Sequence, residues 1–155
     1  MEIVDQNSKT YELRSLSSTD ISSLLEIEAS VYSEPWSRKL FEESLVAPMT
    51  HSLGVFESQE CVGYAIFQVV FSEGHLLNLA IRGSRQGQGL GGRLLDRVLE
   101  ESQRKGARSF FLEVRPTNEP AKKLYENRGF RPLMMREKYY HDGEAALIMI
   151  KEFRS

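Results

Sequence analysis

The chain has 155 residues, of which 41% are hydrophobic and 27% are charged. A chain of this length is expected to fold as one domain, residues 1–155, and its apolar content excludes an intrinsically disordered protein. The formal net charge of −2 excludes the broad positive field with which proteins bind nucleic acid or an anionic membrane, so neither is expected as a partner.

Periodicity predicts one strand and two helices in the first third of the chain. Apolar alternation over residues 11–16 predicts a short strand. Residues 18–20 offer capping side chains for a first helix, and Ser37 can cap a second helix that runs to about Val46, where Pro48 closes it. Residues 1–9 contain no apolar run of the kind found in signal peptides.

Three strands and a long helix are predicted in the middle of the chain. Residues 51–56, 61–71 and 75–81 read as strands, and the short polar turns between them indicate antiparallel neighbours. The middle run is interrupted by Gln68 and is too short to cross a membrane. After a glycine-rich turn, apolar residues at helical spacing over residues 90–99 predict a helix that ends near Gly106.

The last third is predicted as a strand, a helix and two strands. Residues 110–114 form a nearly continuous apolar run, typical of a strand buried on both faces and broken only by Glu113. Thr117 or Asn118 can cap a helix that ends before Gly129. Two strands at about residues 131–138 and 144–150, joined by a loop at residues 139–143, complete an α/β chain.

Cysteine and histidine usage argues against a disulfide framework and against a metal site. Cys61 is the only cysteine, which makes a reducing, cytoplasmic location the expectation. The three histidines, His51, His75 and His141, lie far apart in sequence, and none stands at metal-ligand spacing from another.

The glycine-rich turn is the first candidate for a functional site. It reads Gln86-Gly87-Gln88-Gly89-Leu90-Gly91-Gly92 and joins a predicted strand to a predicted helix, so that main-chain N–H groups and the helix dipole can converge on an anion. Gly87, Gly89 and Gly92 also fit the spacing of a dinucleotide-binding turn, but the preceding strands are predicted to be antiparallel. These residues are therefore also compatible with a nucleotide site or with a turn that only connects two elements.

Three segments together resemble the GCN5-related N-acetyltransferase (GNAT) family. The first is the glycine-rich turn, which resembles the family's pyrophosphate signature. The others are Leu112-Glu113-Val114-Arg115 and the stretch from Asn118-Glu119-Pro120-Ala121 to Gly129-Phe130. Further stretches, namely Glu34-Pro35-Trp36-Ser37, Asn78-Leu79-Ala80-Ile81 and Tyr139-Tyr140, are similar to those of the RimI-type branch, which acetylates the N-terminal alanine of a small-subunit ribosomal protein.

The resemblance implies a splayed, mixed and mostly antiparallel sheet flanked by helices, with acetyl-CoA inserted at the splay. It implies that the turn, at Gln86, Gly87, Gln88, Gly89, Leu90, Gly91 and Gly92, binds the pyrophosphate. Main-chain groups of Leu79, Ala80 and Ile81 would hold the pantetheine arm and the acetyl carbonyl, and Asn118 would also contact coenzyme A. A protein N-terminus is the implied acceptor, and a monomer or weak dimer is expected.

Glu113 and Tyr125 are the candidate catalytic residues. An α-amino group titrates near pH 8 and must lose a proton before it attacks a thioester, and Glu113, in an apolar strand that would favour its protonated form, is the candidate base. The resemblance assigns Tyr125 the return of a proton to the leaving thiolate. Glu113 could instead form an ion pair with Arg115 or another basic side chain, and Tyr125 could be a core aromatic residue.

The acceptor site and the detailed activity leave further alternatives. Trp36, Tyr139 and Tyr140 are the candidate walls of the substrate site, although they could equally cover the edge of the core. Acetylation of a lysine side chain or a small amine, or acyl-CoA binding without catalysis, would use the same turn. The turn also lacks the arginine that the family often carries where Gln86 or Gly87 stands, and Arg85 or Arg93 could replace it.

Overall fold

The computed structural model describes residues 1–154, which form one eight-stranded sheet and four α-helices. The strands are β1 (Glu2–Val4), β2 (Thr10–Arg14), β3 (Thr50–Glu57), β4 (Glu60–Val70), β5 (Glu73–Ile81), β6 (Ser109–Val114), β7 (Arg131–Arg136) and β8 (Ala146–Glu152). The helices are α1 (Ile21–Val31), α2 (Arg38–Val46), α3 (Leu90–Arg104) and α4 (Glu119–Glu126).

The helix ends follow local signals in the sequence. The Ser37 hydroxyl accepts a hydrogen bond from the Leu40 N–H at 3.1 Å and caps α2. The Asn118 side chain accepts from the Ala121 N–H at 3.2 Å and caps α4, as predicted. Gly106, with φ of 102°, and Gly129, with φ of 89°, follow α3 and α4 in the left-handed conformation that glycine adopts without strain.

The sheet order is β1-β2-β3-β4-β5-β6-β8-β7, and every neighbouring pair except one is antiparallel. The exception is β5 with β6, which run parallel. The mixed and mostly antiparallel sheet that the resemblance implied is therefore confirmed.

Two hydrophobic cores lie on opposite faces of the sheet. On one face, α3 and α4 pack on a core that includes Leu94, Val98, Phe110 and Tyr125. On the other, α1 and α2 pack over β3 to β5 around Leu24, Phe41, Tyr64 and Ile66. Because successive strand residues point to opposite faces, β4 contributes to both cores.

The sheet splays open between β5 and β6. The two strands pair only from Glu73 opposite Ser109 to His75 opposite Phe111, and then separate. Just beyond that point β5 carries a bulge, since Ile66 pairs with Asn78 and Phe67 pairs with Leu76, which leaves Leu77 without a partner on β4. The gap that results lies at the carboxyl ends of both strands.

Two predictions about strands differ from the structure. β1 was not predicted, because Ile3 is its one buried side chain and a single apolar residue makes no alternating pattern. The strand forms because Ile3 pairs with Tyr11 on β2, a contact that the local sequence does not reveal. The prediction that residues 110–114 are buried on both faces is wrong. Phe110, Leu112 and Val114 are buried under α3 and α4, while Phe111 and Glu113 point to the other, partly open face.

Candidate active site

The largest cavity at the splay has a volume of 480 Å³ and lies between β5, the start of α3 and α4. Its lining includes Leu79, Ala80, Ile81, Gln86, Gly87, Gly89, Leu90, Gly91, Gly92, Asn118 and Tyr125. With the exception of Gln88, the structure thus brings together around one cavity all the residues that the sequence predicted for cofactor binding.

The glycine-rich turn presents main-chain donors at the start of α3. Gly87 and Gly89 both have φ of 78°, a conformation that side chains disfavour. Within residues 1–154 the N–H groups of Gly87, Gln88 and Gly89 donate to no protein acceptor. A Cβ on Gly92 would overlap the guanidinium of Arg128. The turn therefore has the free main-chain donors that an anion site requires, and Gly92 leaves room for Arg128 beside it.

Gln6 holds this turn from outside, a contact that the sequence analysis missed. Its main-chain N–H donates to the carbonyl of Gln88 at 3.0 Å, and its side-chain amide donates to the carbonyl of Gly87 at 2.9 Å. Both carbonyl groups are thereby satisfied, which holds the turn in place while its N–H groups remain unpaired. Gln6 lies between β1 and β2, 81 residues from Gly87, and no local pattern marks it.

Arg85 is the basic residue that lines the large cavity. Its guanidinium contacts Oε1 of Glu57 at 2.7 Å from Nε and 2.6 Å from Nη2. Arg93 is exposed on α3 and is not part of the cavity lining. Of the two arginines considered as replacements for the missing one, Arg85 is therefore the one that stands at the cavity.

The edge of β5 that faces the gap carries main-chain groups that do not bond to another strand. The carbonyl of Leu79 accepts from the hydroxyl of Tyr32, and the carbonyl of Ile81 accepts from Gln86 Nε2 at 2.9 Å, so neither bonds to β4. The N–H of a strand residue points to the same edge as its carbonyl. Burial raises the pKa of Tyr32, which lies at the end of α1 and was not singled out from the sequence.

Two smaller cavities adjoin the large one on the side of α1. Their volumes are 220 Å³ and 190 Å³. Both are lined by Tyr32, Glu34, Glu113, Tyr125 and Tyr140, and Tyr32 and Tyr125 also line the large cavity. The two candidate catalytic residues thus border the same space, with Tyr125 at the junction.

Glu113 pairs with a histidine rather than with Arg115. Oε2 of Glu113 lies 2.6 Å from Nε2 of His75, and Oε1 accepts from the hydroxyl of Tyr139 at 3.3 Å. Arg115 instead contacts Glu34 at 3.2 Å, Asp142 at 2.8 Å and Glu144 at 2.9 Å. The sequence analysis considered His75 only as a metal ligand, and the parallel register of β5 and β6 brings it to Glu113 instead.

Tyr125 is buried in α4 with its ring against Phe130, at a centroid distance of 5.9 Å. Within residues 1–154 its hydroxyl has no hydrogen-bond partner, and it is not a buried unsatisfied group. Burial raises the pKa of Tyr125 to about 12. The residue is thus a neutral hydroxyl donor at the junction of the cavities, and its hydroxyl is not used by the core.

The aromatic residues predicted to wall the acceptor site take different positions. Trp36 and Tyr140 line the cavity of 190 Å³, and the guanidinium of Arg115 lies 3.9 Å above the ring of Tyr140. Burial raises the pKa of Tyr140 to about 12. Tyr139 stacks edge-on against Tyr140 at 5.0 Å and directs its hydroxyl to Glu113.

A buried carboxylate in α1 holds part of this aromatic lining in place. Glu28 in α1 is 1% exposed and accepts hydrogen bonds from the Tyr64 hydroxyl, from Asn78 Nδ2 at 2.5 Å and from the Trp36 N–H at 2.8 Å. A charged residue on the apolar side of a predicted helix was the available signal for it, since buried carboxylates require partners.

Cys61 lies in the other core, where burial raises the pKa of its thiol to about 11. A thiol in that state is a poor nucleophile, and Cys61 lines none of the cavities described above. Among residues 1–154, no three His, Cys, Asp or Glu side chains are arranged to hold a metal ion. Within the same residues, no helix has the length and apolar character needed to span a membrane.

Comparison with known proteins shows that the chain belongs to one family. A model described as Acetyltransferase (GNAT) family matches residues 21–130. A protein of Escherichia coli (strain K12) named [Ribosomal protein bS18]-alanine N-acetyltransferase is 35% identical over 140 residues, covering 88% of this chain and 94% of that protein. A Bacillus subtilis (strain 168) relative, provisionally given the same activity, is 37% identical over 139 residues and covers 88% of this chain and 92% of its own.

A solved structure agrees as well. The crystal structure of the ribosomal-protein-S18-alanine N-acetyltransferase from Escherichia coli superimposes with a TM-score of 0.86 at 33% sequence identity, covering 94% of this chain and 95% of that chain. The similarity therefore extends over nearly the whole fold.

Proposed function

Because the chain belongs to the GNAT family and is an N-acetyltransferase, we propose that it transfers the acetyl group of acetyl-CoA to the N-terminal alanine of a small-subunit ribosomal protein. The observation that carries the proposal is that Glu113 and Tyr125 border the same two cavities, while Tyr125 also borders the cavity with the glycine-rich turn. In this proposal a base and an acid border the space in which the acetyl carbon would react.

Acetyl-CoA would occupy the cavity of 480 Å³. Its pyrophosphate would accept from the free N–H groups of the turn and from the start of α3. Its pantetheine arm would follow the free edge of β5 at Leu79 and Ile81. The N–H groups on that edge are the donors available to a carbonyl oxygen that becomes negative in the tetrahedral intermediate.

The reaction would proceed by direct attack of the acceptor amine. Glu113 removes a proton from the amine, whose nitrogen then forms a bond to the acetyl carbon. The carbon–sulfur bond breaks as the tetrahedral intermediate collapses, and the thiolate of coenzyme A takes the hydroxyl proton of Tyr125. A hydroxyl with a pKa of about 12 stays protonated at neutral pH, so the donor is present in every cycle.

The acceptor would enter through the two cavities that Tyr140 lines, one of which Trp36 also lines. An α-amino group loses its proton near pH 8 and a lysine side chain near pH 10.4. At neutral pH a protein N-terminus is therefore easier for the base to deprotonate than a lysine side chain. We further propose that the protein acts in the cytoplasm, which a ribosomal acceptor and the unpaired Cys61 favour, and that it is a monomer or weak dimer.

The test is a peptide panel with acetyl-CoA and a readout of free coenzyme A. An alanine-first peptide with the sequence of the ribosomal protein's N-terminus is compared with the same peptide carrying a blocked N-terminus and an internal lysine. Release of coenzyme A with the free N-terminus alone supports the proposal. Release with the blocked peptide would assign the enzyme to lysine acetylation, and binding of acetyl-CoA without any release would assign it to acyl-CoA sensing.

A further inference from the structure

A third space adjoins Glu113, on the face of the sheet that α1 and α2 leave open. It is a groove of 330 Å³ between β4, β5, β6 and β8, lined by Gln68, Glu73, His75, Phe111, Glu113 and Ile148. Glu113 is the residue that this groove shares with the two acceptor cavities. The carboxylate therefore stands between the acceptor site and a separate opening.

We propose that His75 is a proton relay for Glu113, taking the proton that Glu113 removes from the acceptor amine and releasing it into this groove. The inference rests on the proposed function, in which Glu113 is the base. The contact between Glu113 Oε2 and His75 Nε2, at 2.6 Å, is short enough for direct transfer.

The difference in side-chain exposure between Glu113 and His75 indicates the direction in which the proton would move. The side chain of Glu113 is 16% exposed, whereas that of His75 is 38% exposed. In each turnover the carboxyl group must lose the proton it has gained, and the acceptor side of Glu113 is then filled by product. The more exposed histidine offers a route to water that the acetylated peptide does not block.

The charges around His75 favour this role. Glu73 and Glu113 are the charged residues that line the groove with it, while Gln68, Phe111 and Ile148 contribute no charge from β4, β6 and β8. Tyr139 donates to the other oxygen of Glu113. These two carboxylates are the charges that the ring faces while it carries the proton.

The proton balance of the relay is complete. Glu113 as carboxylate takes one proton from the amine, and the carboxylic acid passes it to Nε2 of a neutral His75 ring whose own proton is on Nδ1. The imidazolium loses a ring proton to water in the groove, and exchange with water restores the starting tautomer. Both residues end the cycle as they began it, and no other reactant is consumed.

The test compares kcat and its pH profile in the wild type, His75→Gln, His75→Ala and the control His51→Gln, which changes a histidine on β3 outside these cavities. Glutamine can keep a hydrogen bond to Glu113 but cannot carry a proton. We expect His75→Gln to lower kcat by about tenfold with little change in the KM for acetyl-CoA, a modest part of what acid–base groups contribute. The pH profile of kcat should also differ from that of the wild type, because the group that carries the proton to water is gone in this variant.

Added imidazole gives a second readout, because the groove has room for it once the His75 side chain is removed. It should raise the kcat of His75→Ala in proportion to its concentration and leave His75→Gln and His51→Gln unchanged. Wild-type kcat and an unchanged pH profile in His75→Gln would overturn the relay while the proposed function stands, and so would the absence of imidazole rescue in His75→Ala.

The proposed function and the contact between Glu113 and His75 can be tested separately. If the wild type acetylates no peptide, the proposed function fails, and the pair is judged from the ring-nitrogen NMR shifts of His75. Glu113→Gln should move the Nε2 shift of His75 and leave those of His51 in place. An unchanged Nε2 shift would overturn the pair.

Discussion

The main-chain N–H of Trp36 donates to the buried carboxylate of Glu28 at 2.8 Å, so that a charge in α1 fixes the loop that walls the acceptor cavity. The other oxygen of Glu28 accepts from Tyr64 and Asn78, which belong to β4 and β5. One carboxylate thus ties the acceptor loop to the strand that borders the splay.

Replacing Glu28 should weaken both the fold and acceptor binding. Glu28→Leu leaves three buried donors without their acceptor, and we expect the free energy of unfolding to fall by about 3 kcal/mol, measured by urea denaturation. The KM for the peptide should rise because Trp36 loses its anchor. The control is Glu26→Leu on the exposed side of the same helix, where Glu26 pairs with Arg82 and the change should stay below about 1 kcal/mol. Equal losses in the two variants would contradict the role of Glu28.

Removing the hydroxyl of Tyr125 should affect catalysis and leave stability unchanged. Tyr125→Phe should lower kcat by about 100-fold because the leaving thiolate loses its proton donor. Its unfolding free energy should stay within about 0.5 kcal/mol of the wild type, since no other group of residues 1–154 uses that hydroxyl. Tyr11→Phe is the matched control with the opposite pattern: its hydroxyl donates to Asp5 at 3.1 Å in the core, so stability should fall while kcat is retained. A stable and fully active Tyr125→Phe enzyme would exclude Tyr125 as the acid.

The pH profile of kcat should show no alkaline decline up to about pH 10. A general acid works only while it is protonated, and burial raises the pKa of Tyr125 to about 12, so the donor persists above the range in which ordinary tyrosines ionise. The measurement is kcat at saturating peptide from pH 7 to pH 10, with unfolding followed in parallel. A decline with a midpoint near pH 10 that Tyr125→Phe abolishes would show that the hydroxyl titrates as an ordinary phenol.

Acetyl-CoA binding should depend on Arg85 and not on Arg93. Arg85 lines the cavity beside the glycine-rich turn, so Arg85→Gln should raise the Kd for acetyl-CoA by about tenfold, as expected for one charge-assisted contact to a phosphate. Arg93→Gln removes the same charge from an exposed position on α3 and should change the Kd by less than about twofold. The Kd of each variant is measured by titration calorimetry. Equal increases in Kd would contradict a specific contact of Arg85 with the cofactor and indicate that only the overall positive charge matters.

Local patterns predicted most of the fold, and long-range contacts account for what they missed. Helix caps at Ser37 and Asn118 and the alternation along the strands act between near neighbours, so they can be read from the chain. The contacts of Gln6 with Gly87 and of His75 with Glu113 span 81 and 38 residues and exist only once the sheet has formed. The buried face of β6 was overestimated because Phe111 is apolar but lies on the open side.

The central claim is that Glu113 removes the proton from the acceptor amine, and single-turnover acetylation by Glu113→Gln tests it most directly. With preloaded acetyl-CoA and an alanine-first peptide, we predict a rate about 100-fold below the wild type at pH 7, a loss that shrinks as rising pH deprotonates the peptide itself. The Kd for acetyl-CoA should not change, because Glu113 does not line the cofactor cavity. A wild-type rate at pH 7 in the folded variant would contradict the claim.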